Sequence, residues 1–195
     1  MSPSKPPRRA TPQRVYQLQI ELQHIEPRIW RTILVPDTLN LAKLDRVVQA
    51  AMGWTNSHLH AWRIEGRRYG VPDPEWETPE EVLDERKFTL GGVLGERVSE
   101  FTYDYDFGDG WEHRIVVDKL LAAEPERNAW PMCIAGANAC PPEDVGGPPG
   151  YMDFVQAMRD PAHEDHLQMW QWCGGPFDPS AFSLNDANRA IQRLR

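Results

Sequence analysis

Residues 101–117 read Phe-Thr-Tyr-Asp-Tyr-Asp-Phe-Gly-Asp-Gly-Trp-Glu-His-Arg-Ile-Val-Val, an aromatic and polar alternation that breaks at Gly-Asp-Gly and then resumes. Successive side chains of a strand point to opposite faces, so Phe101, Tyr103, Tyr105 and Phe107 share one face and Thr102, Asp104 and Asp106 the other. Such a segment folds as a β-hairpin in a sheet with one buried side. A two-residue Asp109-Gly110 loop would set the aromatic row against Glu112, Arg114 and Val116. A three-residue Gly108-Asp109-Gly110 loop, with a glycine in the left-handed position of a bulge, sets it against Trp111, His113, Ile115 and Val117. The second register is expected, because it buries a coherent face that includes His113. It leaves Asp104 facing Arg114 and Asp106 facing Glu112.

The rest of the chain supports an α+β class: a twisted, mainly antiparallel sheet with helices packed on it and a helical C-terminal part. Tyr16, Leu18, Ile20 and Leu22 alternate with Gln17, Gln19 and Glu21, and Arg28 to Val35 gives a second extended run. A helix is expected from about Leu39, with Thr38 as its cap and Gly53 as its stop. Leu59 to Tyr69 reads as a hairpin turning at Glu65-Gly66-Arg67. Pro72 to Glu85 is acidic and proline-broken, which predicts a surface excursion. Pro131 to Gly150 reads as an ordered loop. Tyr151, Phe154, Val155 and Met158 mark a helix, followed by helices over His163–Trp172 and Leu184–Leu194, the last capped by Ser183 with Asp186.

Composition limits the function classes. The formal charge is −8, and residues 1–14 hold Lys5, Arg8, Arg9 and Arg14 with no acid, so residues 15–195 carry −12. That body repels a phosphate backbone, and nucleic acid would be met only weakly, through the basic N-terminal arm. With Pro3, Pro6, Pro7 and Pro12, residues 1–14 read as a disordered arm and 15–195 as one domain. Three cysteines fit a reducing compartment, and no apolar run is long enough to span a membrane, so a cytoplasmic protein is expected.

Several segments concentrate groups capable of chemistry. Asp106, Asp109, Glu112 and His113 crowd the hairpin tip. Asp106 opposite Glu112 would bring two carboxylates to roughly 5 Å, a spacing that binds a cation or raises one pKa. The structural alternative is a solvated pair, with Asp109 as a turn residue and His113 as a hydrogen-bonded core histidine. Cys133 and Cys140 precede Pro141-Pro142-Glu143-Asp144-Val145-Gly146-Gly147. The six residues between the thiols exceed a compact zinc knuckle, though His163 and His166, or His58 and His60, would complete a zinc site. The alternative there is a rigid loop in which Glu143 and Asp144 cap amides. His58 and His60 lie two apart between Trp54 and Trp62, an arrangement suited either to a metal or to packing. No phosphate loop, nucleophile elbow, zincin helix or dinucleotide fingerprint occurs.

Taken together, these strings resemble the Ri-plasmid ORF-3-like family of plasmids, transposon-associated loci and chromosomes. The resemblance rests on Trp54 to Trp62, on Tyr105 to His113, on Cys133, Gly136 and Pro141 to Gly147, and on Tyr151, Asp160-Pro161 and Phe177-Asp178-Pro179. It implies an α+β fold around an antiparallel sheet. Members are often labelled transposon resolvases, yet neither a serine nor a tyrosine recombinase set is legible in this chain.

Two functional expectations follow. The first is a non-enzymatic binding or accessory module that recognises a protein or small ligand beside the central hairpin. The second is a metal-dependent hydrolase-like site in which Asp106, Asp109, Glu112 or His113 joins Glu143 and Asp144, completed by His58 or His60. Structural zinc on Cys133 and Cys140 is compatible with either. A DNA-binding recombination accessory is a further alternative that the resolvase label suggests.

Overall fold

Alternation in the sequence becomes three antiparallel hairpins in one sheet. They are β1 (Arg14–Leu22) with β2 (Ile29–Pro36), β3 (His60–Ile64) with β4 (Arg67–Gly70), and β6 (Glu100–Tyr105) with β7 (Trp111–Ala122). Two further strands, β5 (Val82–Asp84) and β8 (Met132–Ala137), form the edges, giving the order β5-β4-β3-β6-β7-β1-β2-β8. Only the β4–β5 pair is parallel. The computed structural model describes residues 11–73, 81–124 and 131–194. The expected basic arm therefore lies mostly outside the described residues, and Arg14 opens β1 instead of closing the arm.

One sheet face forms the core. Tyr16, Leu18, Ile20 and Leu22 of β1 lie beside Ile29, Ile33 and Val35 of β2 and Ile115 of β7, and all are buried. Helix α1 (Leu41–Met52) covers this face with Leu41, Leu44, Val48 and Met52, and α5 (Leu184–Gln192) packs against α1 and β8. A short helix α2 (Leu90–Leu94) follows β5, while α3 (Gly147–Arg159) and α4 (His166–Trp172) follow β8. The architecture is α+β, as the patterning predicts. Gly53 ends α1 in a left-handed conformation, φ 112°. Its N-cap is Asn40, which accepts the Lys43 N–H at 3.0 Å, instead of Thr38; both are good caps, and the choice turns on where the chain leaves β2.

Three further expectations are corrected. The 72–85 excursion contains β5, which pairs with β4, although residues 74–80 fall outside the description. The 131–150 loop begins with β8, a strand hidden by its Ala and Gly content. The helix expected from His163 begins at His166.

A buried arginine in the core row has no counterpart in the sequence reading. Arg31 lies opposite Ile20 and is 2% exposed. Its guanidinium donates to the carbonyls of Ala51 and Met52 at the end of α1, of Trp30, and of Ala137 and Asn138 where β8 ends. Phe182 stacks on it at 4.3 Å. Arginine thus serves as the C-terminal cap of α1, where the carbonyls lack helical partners and cations are favoured. Gly136 makes room for this arrangement, since a Cβ there would stand 2.7 Å from the Phe182 ring and 2.8 Å from Arg31 Cδ.

Candidate functional site

The central hairpin turns differently from expectation. Tyr105 pairs with Trp111, Tyr103 with His113 and Phe101 with Ile115, so the loop spans five residues, 106–110. The aromatic face is the expected one, but the register is shifted by two and Asp104 lies opposite Glu112. The expected Asp106–Glu112 pair does not form. Asp106 instead leaves the strand with φ 52°. Its Oδ1 accepts the Gly108 and Asp109 N–H groups at 3.0 and 3.3 Å, which makes it the organising residue of the turn. Phe107 is thrown out of the aromatic row and is exposed.

Tight turning directs Asp106 Oδ2 at His58, 3.6 Å from Nδ1. The other ring nitrogen, Nε2, lies 3.2 Å from Asp144 Oδ1 and 4.0 Å from Glu143 Oε2. The approach to Asp144 lacks hydrogen-bond geometry, and Nε2 is buried without a hydrogen-bond partner. Among the described residues, His58, Asp106 and Asp144 are the group whose ligand-type atoms all lie within 4.8 Å of one another.

Glu143 is held more firmly. Its Oε1 accepts the Thr55 N–H at 2.9 Å, the Thr55 hydroxyl at 3.0 Å and the Tyr105 hydroxyl at 3.0 Å. Tyr105 Oη in turn accepts the Ser57 N–H at 3.0 Å. Burial, and after it the nearby Glu143, push the Tyr105 phenol well above its usual range, so it acts as a donor to the carboxylate. Hairpin tip and 141–147 loop are joined directly as well, because Asp109 Oδ2 accepts the Gly146 N–H at 3.1 Å. Asp109 is thereby a clasp between the two segments.

His60 belongs to a separate, buried network. Its Nε2 lies 2.8 Å from Glu85 Oε2 and its Nδ1 3.3 Å from Asp45 Oδ1. Trp62 Nε1 also donates to Glu85, and the Tyr103 hydroxyl donates to Asp45 Oδ1 at 2.6 Å. Burial raises the Asp45 carboxyl above its ordinary range, against the pull of His60 and Tyr103. For His60 burial works downward but is outweighed by the Glu85 hydrogen bond and the two carboxylates, so its pKa is raised. Asp45 and Glu85 meet opposite nitrogens of this ring, as Asp106 and Asp144 do at His58, but among the described residues His60, Asp45 and Glu85 do not form a group whose ligand-type atoms all lie within 4.8 Å of one another.

The other candidates are scattered. Glu112 faces the opposite side of the sheet, 3.5 Å from His24. His113 is fully buried; its Nδ1 meets the Tyr103 carbonyl at 3.1 Å, Nε2 has no hydrogen-bond partner, and burial lowers its pKa to about 4. Cys133 and Cys140 are free thiols, and Cys133 is buried in the core. Burial raises both thiol pKa values. His163 Nδ1 accepts the Asp165 N–H, and His166 Nδ1 meets the Ala157 carbonyl at 2.8 Å. None of these four joins a ligand group with the others among the described residues.

A sequence profile of plasmid pRiA4b ORF-3-like proteins matches residues 14–186. The chain belongs to this family. It is 42% identical over 182 residues, 92% of each chain, to the uncharacterised protein y4hQ of Sinorhizobium fredii (strain NBRC 101917 / NGR234). Among solved structures, the ORF-3-like chain is similar to MM3350, a protein of unknown function from Methanosarcina mazei Go1. The TM-score is 0.81 at 32% identity, covering 90% of this chain and 98% of that one.

In this ORF-3-like protein, Asp45, Gln49 and Glu85 are buried polar residues, and Tyr105 a hydrogen-bond donor to Glu143, that the sequence pattern did not single out. A signal existed for two of them. Asp45 and Gln49 follow Leu41 at four-residue steps and flank Val48, which places polar side chains on the buried stripe of α1. All four are buried or nearly so. The described residues include no helix long and apolar enough to cross a membrane.

Proposed function

We propose that this protein is a cation-dependent binding module in which a divalent metal held by His58, Asp106 and Asp144 presents a protein or small ligand with open coordination positions. The convergence of these three side chains within 4.8 Å carries the reading. Around one imidazole stand three carboxylates, those of Asp106, Glu143 and Asp144, so a cation offsets their mutual repulsion. Mixed imidazole and carboxylate ligands without a thiolate suit Zn²⁺ or Mn²⁺. A cleft of ≈ 720 Å³ lined by Phe154, His163, Met169 and Trp172 opens beside Asp144 and has the size of a small-ligand site. Isothermal titration of metal-stripped protein with Zn²⁺ and Mn²⁺ tests the reading. Saturable 1:1 binding abolished by His58→Ala and weakened at least tenfold by Asp106→Asn is expected; equal binding by wild type and both variants would sink it.

Metal-dependent hydrolysis is the second reading, and Glu143 favours it. Glu143 Oε1 takes three donors, and Oε2, which the Tyr105 hydroxyl also approaches at 3.2 Å, lies 4.0 Å from His58 Nε2, so this carboxylate would serve as the proton acceptor for a water activated by a bound metal. Turnover of model ester or phosphoester substrates that needs both the metal and Glu143 would select this reading; metal binding without turnover would select the module. The −12 body weighs against an autonomous DNA-binding accessory. The free thiols support a cytoplasmic setting, and the family supports association with mobile elements. Residues 15–195 would act as one domain.

A further inference from the structure

Two tyrosines on one strand face control the loop that bears His58. Tyr105 Oη accepts the Ser57 N–H directly. Tyr103, two residues earlier, acts on the preceding residue through Gln49, whose Nε2 donates to Tyr103 Oη at 2.9 Å and whose Oε1 accepts the Asn56 N–H at 3.1 Å. The Gln49 carbonyl also accepts the N–H groups of Gly53 and Trp54 at 2.9 and 3.1 Å. A single buried residue of α1 therefore binds three amides of the 53–56 turn.

The direction of these bonds is dictated from far inside. The Tyr103 hydroxyl donates to Asp45 Oδ1, so its lone pair is free to receive an N–H from Gln49. That leaves the Gln49 carbonyl oxygen, and not its NH₂, for Asn56. Asp45 Oδ1 lies 3.3 Å from His60 Nδ1, an electrostatic contact, and the other nitrogen of His60 hydrogen-bonds Glu85 at 2.8 Å. Asn56 is left-handed, φ 59°, and this reversal sends Ser57 to Tyr105 and His58 between Asp106 and Asp144.

We infer that Gln49 is a positioning residue for the cation site, the outlet of a buried relay Glu85–His60–Asp45–Tyr103–Gln49 that fixes the conformation of the loop bearing His58. The inference rests on the reading of His58, Asp106 and Asp144 as cation ligands. Relays of this kind orient metal ligands, and their removal typically lowers affinity about 10- to 100-fold. A merely structural Gln49 would change stability without changing site geometry.

The test compares wild type, Gln49→Leu and Tyr103→Phe. Gln49→Leu keeps the bulk and removes both side-chain bonds. Tyr103→Phe keeps the ring and the Gln49 side chain but removes the hydroxyl that orients its amide, which is then free to turn its NH₂ toward Asn56, and it serves if the first variant does not fold. Zn²⁺ titration, denaturant midpoint, Asn56 amide exchange and the His58 ring ¹⁵N shifts are the readouts. Expected are a Zn²⁺ affinity about tenfold or more below wild type, faster Asn56 exchange and moved His58 shifts in folded protein. Zn²⁺ affinity within twofold of wild type, with Asn56 and His58 unchanged, would overturn the inference. If wild type itself binds no Zn²⁺, the cation reading fails, and the relay is then judged by Asn56 exchange and the His58 shifts alone, unchanged values refuting it.

Discussion

Gly147 presses its backbone against that of Asp109, so closely that a Cβ on Gly147 would stand 2.3 Å from the Asp109 carbonyl oxygen. This contact joins the central hairpin to the loop that bears Glu143 and Asp144. It forms at the start of α3, where Gly147 has φ 69°. Two independent requirements, a left-handed backbone and absence of a side chain, thus fall on one residue.

Gly147→Ala should consequently separate two of the three segments that would supply the proposed cation site. The left-handed conformation alone costs about 1–2 kcal/mol for an L-residue, and the clash is with backbone, which cannot rotate away. The expected result is a lowered denaturation midpoint together with loss of Zn²⁺ binding measured by calorimetry. An alanine variant with wild-type affinity would show that the tip and the loop need not touch.

Gly136→Ala tests the other close approach. The new methyl would displace Phe182 from the face of Arg31, an overpacking change that costs about 1–3 kcal/mol. Denaturant unfolding should show the loss, and cation affinity should fall less than in Gly147→Ala because Arg31 bonds none of His58, Asp106 and Asp144 directly.

Arg31→Lys preserves charge but not the planar fork. An ammonium cannot reach all five carbonyls, and each buried acceptor left unpaired costs about 1–3 kcal/mol. We expect a destabilisation several times that of a typical surface substitution, read from urea or guanidinium midpoints.

Acid stability should be governed in part by His113. Its folded pKa of about 4 lies below the ordinary histidine value, so the unfolded chain takes up the proton first as pH falls. Stability is full above about pH 6.5 and declines toward pH 4, by on the order of 3 kcal/mol. His113→Phe, if folded, should flatten this part of the pH–stability curve, and an unaltered slope would count against the assignment.

Much of the sheet was legible because alternation is a local property. Tyr16 to Leu22 and Phe101 to Tyr105 can bury only one face, whichever strands they meet. The hairpin register was not, since Asp106 could either continue the alternation or turn, and its side-chain bonds to the Gly108 and Asp109 amides decide for the turn. Hence Phe101, Tyr103 and Tyr105 take the expected face, while Phe107 and the Asp106–Glu112 pair depart from expectation. His58 and His60 illustrate the same limit. Two residues apart, they face the same aromatic strand, yet His58 meets Asp106 and Asp144, 48 and 86 positions away, and His60 meets Asp45 and Glu85, 15 and 25 positions away. Arg31 was illegible because its partners are carbonyls, which leave no trace in side-chain pattern.

The strand order has a kinetic consequence. Each hairpin closes locally, but the central β7–β1 pair sets Leu22 against His113 and Arg14 against Ala122, so long segments must be brought together before the middle of the sheet exists. Folding of such topologies is slow, as loop-closure entropy is lost before distant contacts reward it. The β1–β2 and β6–β7 hairpins are therefore expected to gain amide protection before Thr55–Ser57 in pulse-labelled exchange. The proposed cation site, which draws on the remote segments around His58, Asp106 and Asp144, is expected to become native after these hairpins.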